Sequence, residues 1–232
     1  MLKWVIRQNA DVNVKGRRGA TPLHKSIICD HTKNLNIISI LIKSGANVNS
    51  VDNYRNTPLH TAVNFGKVKV ANLLISHGAD VNAHANGGET PLHYAARQPF
   101  NLSQNRIGAA ELLLRSGANI NEKDYFGRTP LLQSSMVGNI EMTEFLLKEG
   151  AKPNLVTASG ESALHIAAAN GQSDIARLLI EYGAKVNHLN NEGMTPLYRA
   201  LHSPAIHYNS QGSAPVDTTE VEQVLGEFGG IE

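Results

Sequence analysis

The sequence predicts an all-α repeat solenoid, about six helix-turn-helix units joined by projecting β-turn fingers, with half a unit ahead of them. The first observation behind this is a tetrapeptide. Thr-Pro-Leu-His stands intact at residues 21–24, 57–60 and 90–93, and in altered form from Thr129, Ser162 and Thr195. The second is its spacing, as successive copies start 36, 33, 39, 33 and 33 residues apart. The third is a companion marker in the same register: Gly45-Ala46, Gly78-Ala79, Gly117-Ala118, Gly150-Ala151 and Gly183-Ala184, each followed closely by Asn. A single domain over 1–232 follows, with units at about 1–15 (partial), 16–51, 52–84, 85–123, 124–156, 157–189 and 190–232.

One unit shows why these residues fold this way. Asp124-Tyr125-Phe126-Gly127 has turn chemistry. Thr129 can cap the following helix, and Pro130 then takes the first helical position, where its missing N–H costs nothing. The spacing predicts a first helix to about Val137, ended by Gly138, and a second over about Glu141 to Lys148, ended by Gly150. Such a pair is too small to bury its own apolar face. The Leu- and Ile-rich stripes at 40–42, 73–75, 112–114 and 178–180 therefore pack against neighbouring units, and Ala62, Ala95, Ala96, Ala167 and Ala168 let helices approach closely.

The pattern Asp-x-x-Gly-x-Thr-Pro-Leu-His-x-Ala, a Leu-Leu helix, then Gly-Ala-x-x-Asn resembles the ankyrin repeat over essentially the whole chain. The resemblance implies L-shaped units and a protein that binds other proteins through its fingers and inner helices. It also admits hydroxylation of Asn49, Asn82, Asn121 and Asn187, each with a Leu eight residues before it. The residues themselves offer a plainer role for these asparagines, as side chains that stabilise a turn.

Three units are longer than the rest between Thr-Pro-Leu and Gly-Ala, with insertions at about 30–36, 98–105 and 203–218. All fall between the first and second helix, and the Ser/Gly/Pro-rich stretch 203–216 is expected to be mobile. If Gly229-Gly230 is a worn Gly-Ala, then Val221, Val224, Leu225 and Phe228 fall where Ile175, Leu178, Leu179 and Tyr182 fall one unit earlier. At the start, Leu2 to Ile6 match only a second helix, so the chain is expected to be a piece of a longer array.

Net charge is +1, which gives no global pull toward nucleic acid or an anionic membrane. The distribution is uneven, basic at Lys3, Arg7, Lys15, Arg17 and Arg18 and purely acidic beyond Arg199. With a lone cysteine, Cys29, no signal peptide and no long apolar run, the expectation is a cytoplasmic protein, with a nuclear location open.

The chemistry expected here is recognition. His24, His60, His93 and His165 share one position of the repeat, so a structural hydrogen-bonding role explains them better than a metal site. Cys29 with His31 reads as packing beside Ile27 and Ile28, and neither phosphate loop nor nucleophile elbow is present. No enzyme activity, cofactor, metal or small-molecule substrate is expected.

Carried over from the resemblance, the contact positions include Arg17, Arg18, Tyr54, Asn56, Phe65, Glu89, Arg97, Tyr125, Phe126, Arg128 and Met136. Ala158, Ser159, Glu161, Ala169 and Asn170 continue the series. Adjacent aromatics on a solvent-facing turn serve binding or fold back on a neighbouring finger. The expectation is a groove centred on the units from Thr57 to Gly150, with Arg97 and Arg128 at its rim. A targeting or recruiting segment of a larger enzyme, channel or host-mimicking effector is the alternative. The pattern is weakest where Arg55 replaces the finger Gly and where Ala85 and Thr157 replace the turn Asp.

Overall fold

Every helix pair starts where a short hydroxyl side chain meets the first turn of a helix. In the computed structural model, which describes residues 11–28, 34–97, 105–202, 206–209 and 212–231, Thr57 Oγ1 accepts from the His60 amide and the His60 ring accepts from the Thr57 amide. Ser162 and His165 repeat this reciprocal cap, and Thr129 caps through the Leu132 amide. Pro58 and Pro130 then occupy the first turn.

The helices alternate as expected: α1 (Pro22–Ile28), α2 (Asn34–Lys43), α3 (Pro58–Asn64), α4 (Val68–Ser76), α5 (Pro91–Ala96), α6 (Arg106–Arg115), α7 (Pro130–Met136), α8 (Ile140–Lys148), α9 (Ala163–Ala169), α10 (Ser173–Glu181), α11 (Pro196–His202) and α12 (Thr219–Glu227). The repeat array is thus an all-α solenoid in class. The insertion before α12, expected from its composition to be mobile, carries regular structure. It holds an antiparallel pair, β1 (Ile206–Asn209) and β2 (Gly212–Pro215), with Ile206 opposite Pro215 and Asn209 opposite Gly212. The half unit at residues 2–6, the Cys29–His31 pair and most of the first two insertions lie outside the described residues.

The chain divides into two compact bodies, residues 1–95 with 103–119, and 96–102 with 120–232. In the first, α1 packs on α2 and α3, and α4 packs on α3 and α6. Its core is Leu23, Ile27, Ile38, Leu59, Leu74, Leu92 and Leu113, all fully buried. In the second, α9 packs on α7, α10 and α11, while α12 closes on α10 and α11. Its core includes Leu131, Leu132, Met142, Leu146, Leu164 and Leu179. Val221, Val224 and Leu225 are fully buried, so α12 fills the place of a second helix as its weak pattern implies.

Two sets of bonds hold neighbouring units in register within each body. The first is a ladder of junction asparagines. Asn49 donates from Nδ2 to the Gly78 carbonyl and accepts at Oδ1 from the Asp80 amide. Asn154 does the same with Gly183 and Lys185, and Asn187 with Gly229 and Ile231. Gly229 therefore stands where Gly183 stands one unit earlier, and both take positive φ, 79° and 85°.

The second set runs through the periodic histidines. Nδ1 of His24, His60 and His165 accepts from the amide of its own Thr or Ser, which leaves Nε2 to donate onward. The acceptors are the carbonyls of Asn56, Glu89 and Met194, at 3.0, 3.1 and 3.0 Å. The histidines are structural, as expected, but each ties its finger to the next one and not only to itself. Burial is the main cause holding the His24 and His165 imidazoles below their ordinary range, favouring this neutral form.

Candidate partner-binding site

The finger turns are closed by their own backbone. The amide of Asp124 donates to the Arg128 carbonyl at 2.9 Å, and Gly127, at φ 75°, donates back to Asp124. The Asp124 carboxylate, itself fully buried, accepts the amides of Phe126 and Arg128 and the Arg128 Nε at 2.6 Å. With its polar needs met internally, the turn can expose Tyr125 and Phe126, which are 72% and 60% accessible. The next finger is pinned alongside, since the Ala158 amide donates to the Phe126 carbonyl at 2.9 Å. A Cβ on Gly127 would meet the Ala158 nitrogen at 2.7 Å, so the fingers approach too closely there for any side chain.

Between these turns and the inner helices of the second body lies a cleft of about 590 Å³. Phe126 and Arg128 come from one finger, Met136 from the end of α7, and Ala158, Ser159 and Glu161 from the next finger. Ile166, Ala169 and Asn170 come from α9 and its C-cap, and Arg199 from α11. The apolar part is Phe126, Met136, Ile166 and Ala169. The charges around it are already matched: Arg128 is paired with Asp124 and lies 4.7 Å from the Phe126 ring centre, and Arg199 Nε meets Glu161 Oε1 at 2.8 Å. The cleft thus offers an apolar pocket with a self-neutralised rim.

Of the contact positions expected from the sequence, the structure brings Phe126, Arg128 and Met136 together in this cleft, with Ala158, Ser159, Glu161, Ala169 and Asn170. Tyr125 stands beside them in the same turn, facing solvent. Arg17, Arg18 and Tyr54 are exposed on fingers of the first body. Asn56, Phe65, Glu89 and Arg97 are half-buried. Asn56 is held by the fold, its carbonyl taking the His24 proton and its Oδ1 the Tyr94 hydroxyl. Phe65 is the C-cap of α3, and the Glu89 carbonyl serves His60.

Sequence reasoning missed Ile166 and Arg199. Both follow the fourth residue of the tetrapeptide, in a row that reads Lys25, Thr61, Tyr94, Gln133, Ile166 and Arg199. Such chemical variety inside an otherwise repeated frame is the signal that could have found them.

Among the described residues, no group of three or more His, Cys, Asp or Glu is placed to hold a metal ion, and no helix is long and apolar enough to cross a membrane. The family model for ankyrin repeats (3 copies) matches residues 1–85, 102–189 and 131–209. The chain is also similar to an ankyrin repeat protein of fowlpox virus (strain NVSL), FPV234, with 36% identity over 74 residues. That stretch is 31% of this chain and 17% of the viral protein. The caps, finger turns and asparagine ladder agree with the family match, and the chain belongs to the ankyrin-repeat family.

Proposed function

We propose that the chain is a non-catalytic recognition module whose second body takes an apolar segment of a partner protein into the cleft beside the fingers. Ankyrin repeats are generally protein–protein interaction modules and typically carry no catalysis. The observation that supports this placement is the convergence of exposed Phe126 and Met136 on one cleft whose charges are already satisfied. An incoming charge would have to break the Arg128–Asp124 or Arg199–Glu161 pair, whereas an apolar side chain would cover Phe126 and Met136 without that cost. A pocket of about 590 Å³ accommodates a few large apolar side chains.

Panning a displayed peptide library on the wild-type chain and on the Phe126→Ala/Met136→Ala variant tests the reading. Wild type is expected to enrich Leu-, Met- or Phe-containing peptides. The variant is expected to bind them about 30-fold less tightly, as befits the loss of anchor residues worth about 2 kcal/mol. Both side chains are exposed, so the melting temperature is expected to hold. Equal binding by the two chains would reject the cleft.

A further inference from the structure

The two bodies treat their finger arginines differently. In the second, Arg128 and Arg199 are paired with carboxylates. In the first, Arg17, Arg18 and Arg55 are exposed on the first two fingers, and none of the three side chains makes a hydrogen bond or ion pair among the described residues. No carboxylate is available to them within those fingers. Residues 14–20 contain no acidic residue, and residues 51–56 contain only Asp52. Its Oδ1 accepts the amides of Tyr54 and Asn56, and its Oδ2 faces the Asn56 amide group.

Two of these arginines also sit where the backbone favours glycine. Arg18 has φ 61° and Arg55 has φ 59°, and they are the non-glycine residues with positive φ among the described ones. The place of Arg55 is held by Gly19 in the first finger and by Gly88, Gly127, Gly160 and Gly193 in later ones, whereas Arg18 takes the place that Tyr54 and Phe126 hold. Folding gains nothing from Arg there. The two turns that carry them are nonetheless held side by side, because the Asn53 amide donates to the Arg18 carbonyl at 2.9 Å. Tyr54, 53% accessible, stands next to Arg55.

We propose that the first two fingers form a docking surface for an extended acidic segment of a partner protein, its carboxylates received by Arg17, Arg18 and Arg55. Forked guanidinium donors match carboxylates in two-point pairs, and the turns that carry them are already ordered by their own backbone bonds. The occupant is a peptide and not a nucleic acid, since a net charge of +1 supplies no extended field for a phosphate backbone. This surface lies wholly in the first body, and the proposal goes beyond the cleft reading and does not depend on it.

Fluorescence anisotropy of the whole chain at low salt, with labelled short poly-glutamate, poly-glutamine and oligo-thymidylate probes, tests the proposal. Poly-glutamate is expected to bind best, with affinity falling as salt rises. Arg18→Gly/Arg55→Gly is expected to weaken it about tenfold, with a melting temperature held or raised, since glycine suits both positions. Lys43→Ala/Lys69→Ala, which removes the same charge from exposed sites on α2 and α4, is expected to leave binding nearly unchanged. Equal losses in the two variants would reduce the effect to net charge and overturn the proposal. So would tighter binding of the oligonucleotide, or no preference for poly-glutamate over poly-glutamine.

Discussion

The junctions between units and the tips of the fingers recur at one period, yet one row is uniform and the other is not. At the junctions, Asn13, Asn49, Asn82, Asn154 and Asn187 each donate to a Gly carbonyl and accept the amide two residues further on. In the fingers, Asp52, Asp124 and Asn190 accept two backbone amides each, Thr157 accepts one, and Ala85 has no side-chain acceptor at all. The difference has a physical cause. The junction bonds reach between units, and no backbone group can replace the Asn. Each finger is already closed by its own main chain, from Asp52 to Asn56, Ala85 to Glu89 and Thr157 to Glu161. The fingers can therefore vary, and it is there that unpaired arginines and exposed aromatics are found.

The sharpest break of this contrast lies at the finger bases, where the histidines make the variable row rigid. His165→Ala removes a fully buried ring and leaves the Ser162 amide and Met194 carbonyl without their partner. A loss of about 3 kcal/mol is expected in urea unfolding, against almost none for Tyr125→Ala. The same ring carries a pH signature. Its folded pKa, like that of His24, lies below the ordinary 6.5. The unfolded chain therefore takes up a proton near that pH while the folded chain resists it. Stability is fully present above 6.5 and falls as pH drops from there toward the folded value. Removing His165 is expected to flatten that acid slope, and a slope identical to wild type would refute the bridge.

Next in size is the ladder. Asn154→Ala is expected to cost about 1–2 kcal/mol, since it removes two bonds that are partly solvated, to Gly183 and Lys185. Thr157→Ala, in the adjacent finger, is expected to cost about half of that or less. If the two variants melted together, the distinction between bonds that join units and bonds that reinforce a turn would fail.

Much of this was legible in the residues. Thr-Pro-Leu-His and Gly-Ala specify a cap, a first turn and a helix stop by local chemistry, so the twelve described helices fall in the pairs that the spacing predicts. Even the worn last unit could be read, because Val221, Val224 and Leu225 keep the apolar period. The hairpin before α12 was not readable, since Gly212-Ser213-Ala214-Pro215 has little strand propensity and its pairing is a matter of register. The histidine bridges were half readable, as Nδ1 bonds locally but Nε2 reaches a carbonyl 29 or more residues away. The lining of the candidate cleft was legible where it follows the repeat frame, at Phe126, Arg128 and Met136. It was hidden at Arg199, whose place is fixed by its pairing with Glu161, 38 residues earlier.

The smallest expected effect is a gain. In the finger at Ala85, the amides of residues 87 and 89 hold the places that Asn190 Oδ1 satisfies one body later at Glu192 and Met194, 2.9 and 3.0 Å away. His84 braces the turn in a different way, with Nδ1 donating to the Gly88 carbonyl at 2.9 Å. Supplying the acceptor by Ala85→Asn is expected to raise stability by about 1 kcal/mol. Asp would be the worse choice despite its presence at Asp52 and Asp124, because a Cβ on Gly87 would meet Glu89 Oε2 at 2.8 Å, which places that carboxylate over the turn. A second negative charge there would be opposed. The ordering Asn above Ala above or level with Asp, read from denaturant midpoints, checks the argument. A finger indifferent to both substitutions would mean that its backbone bonds already hold it fully, and the row would be freer to vary than proposed.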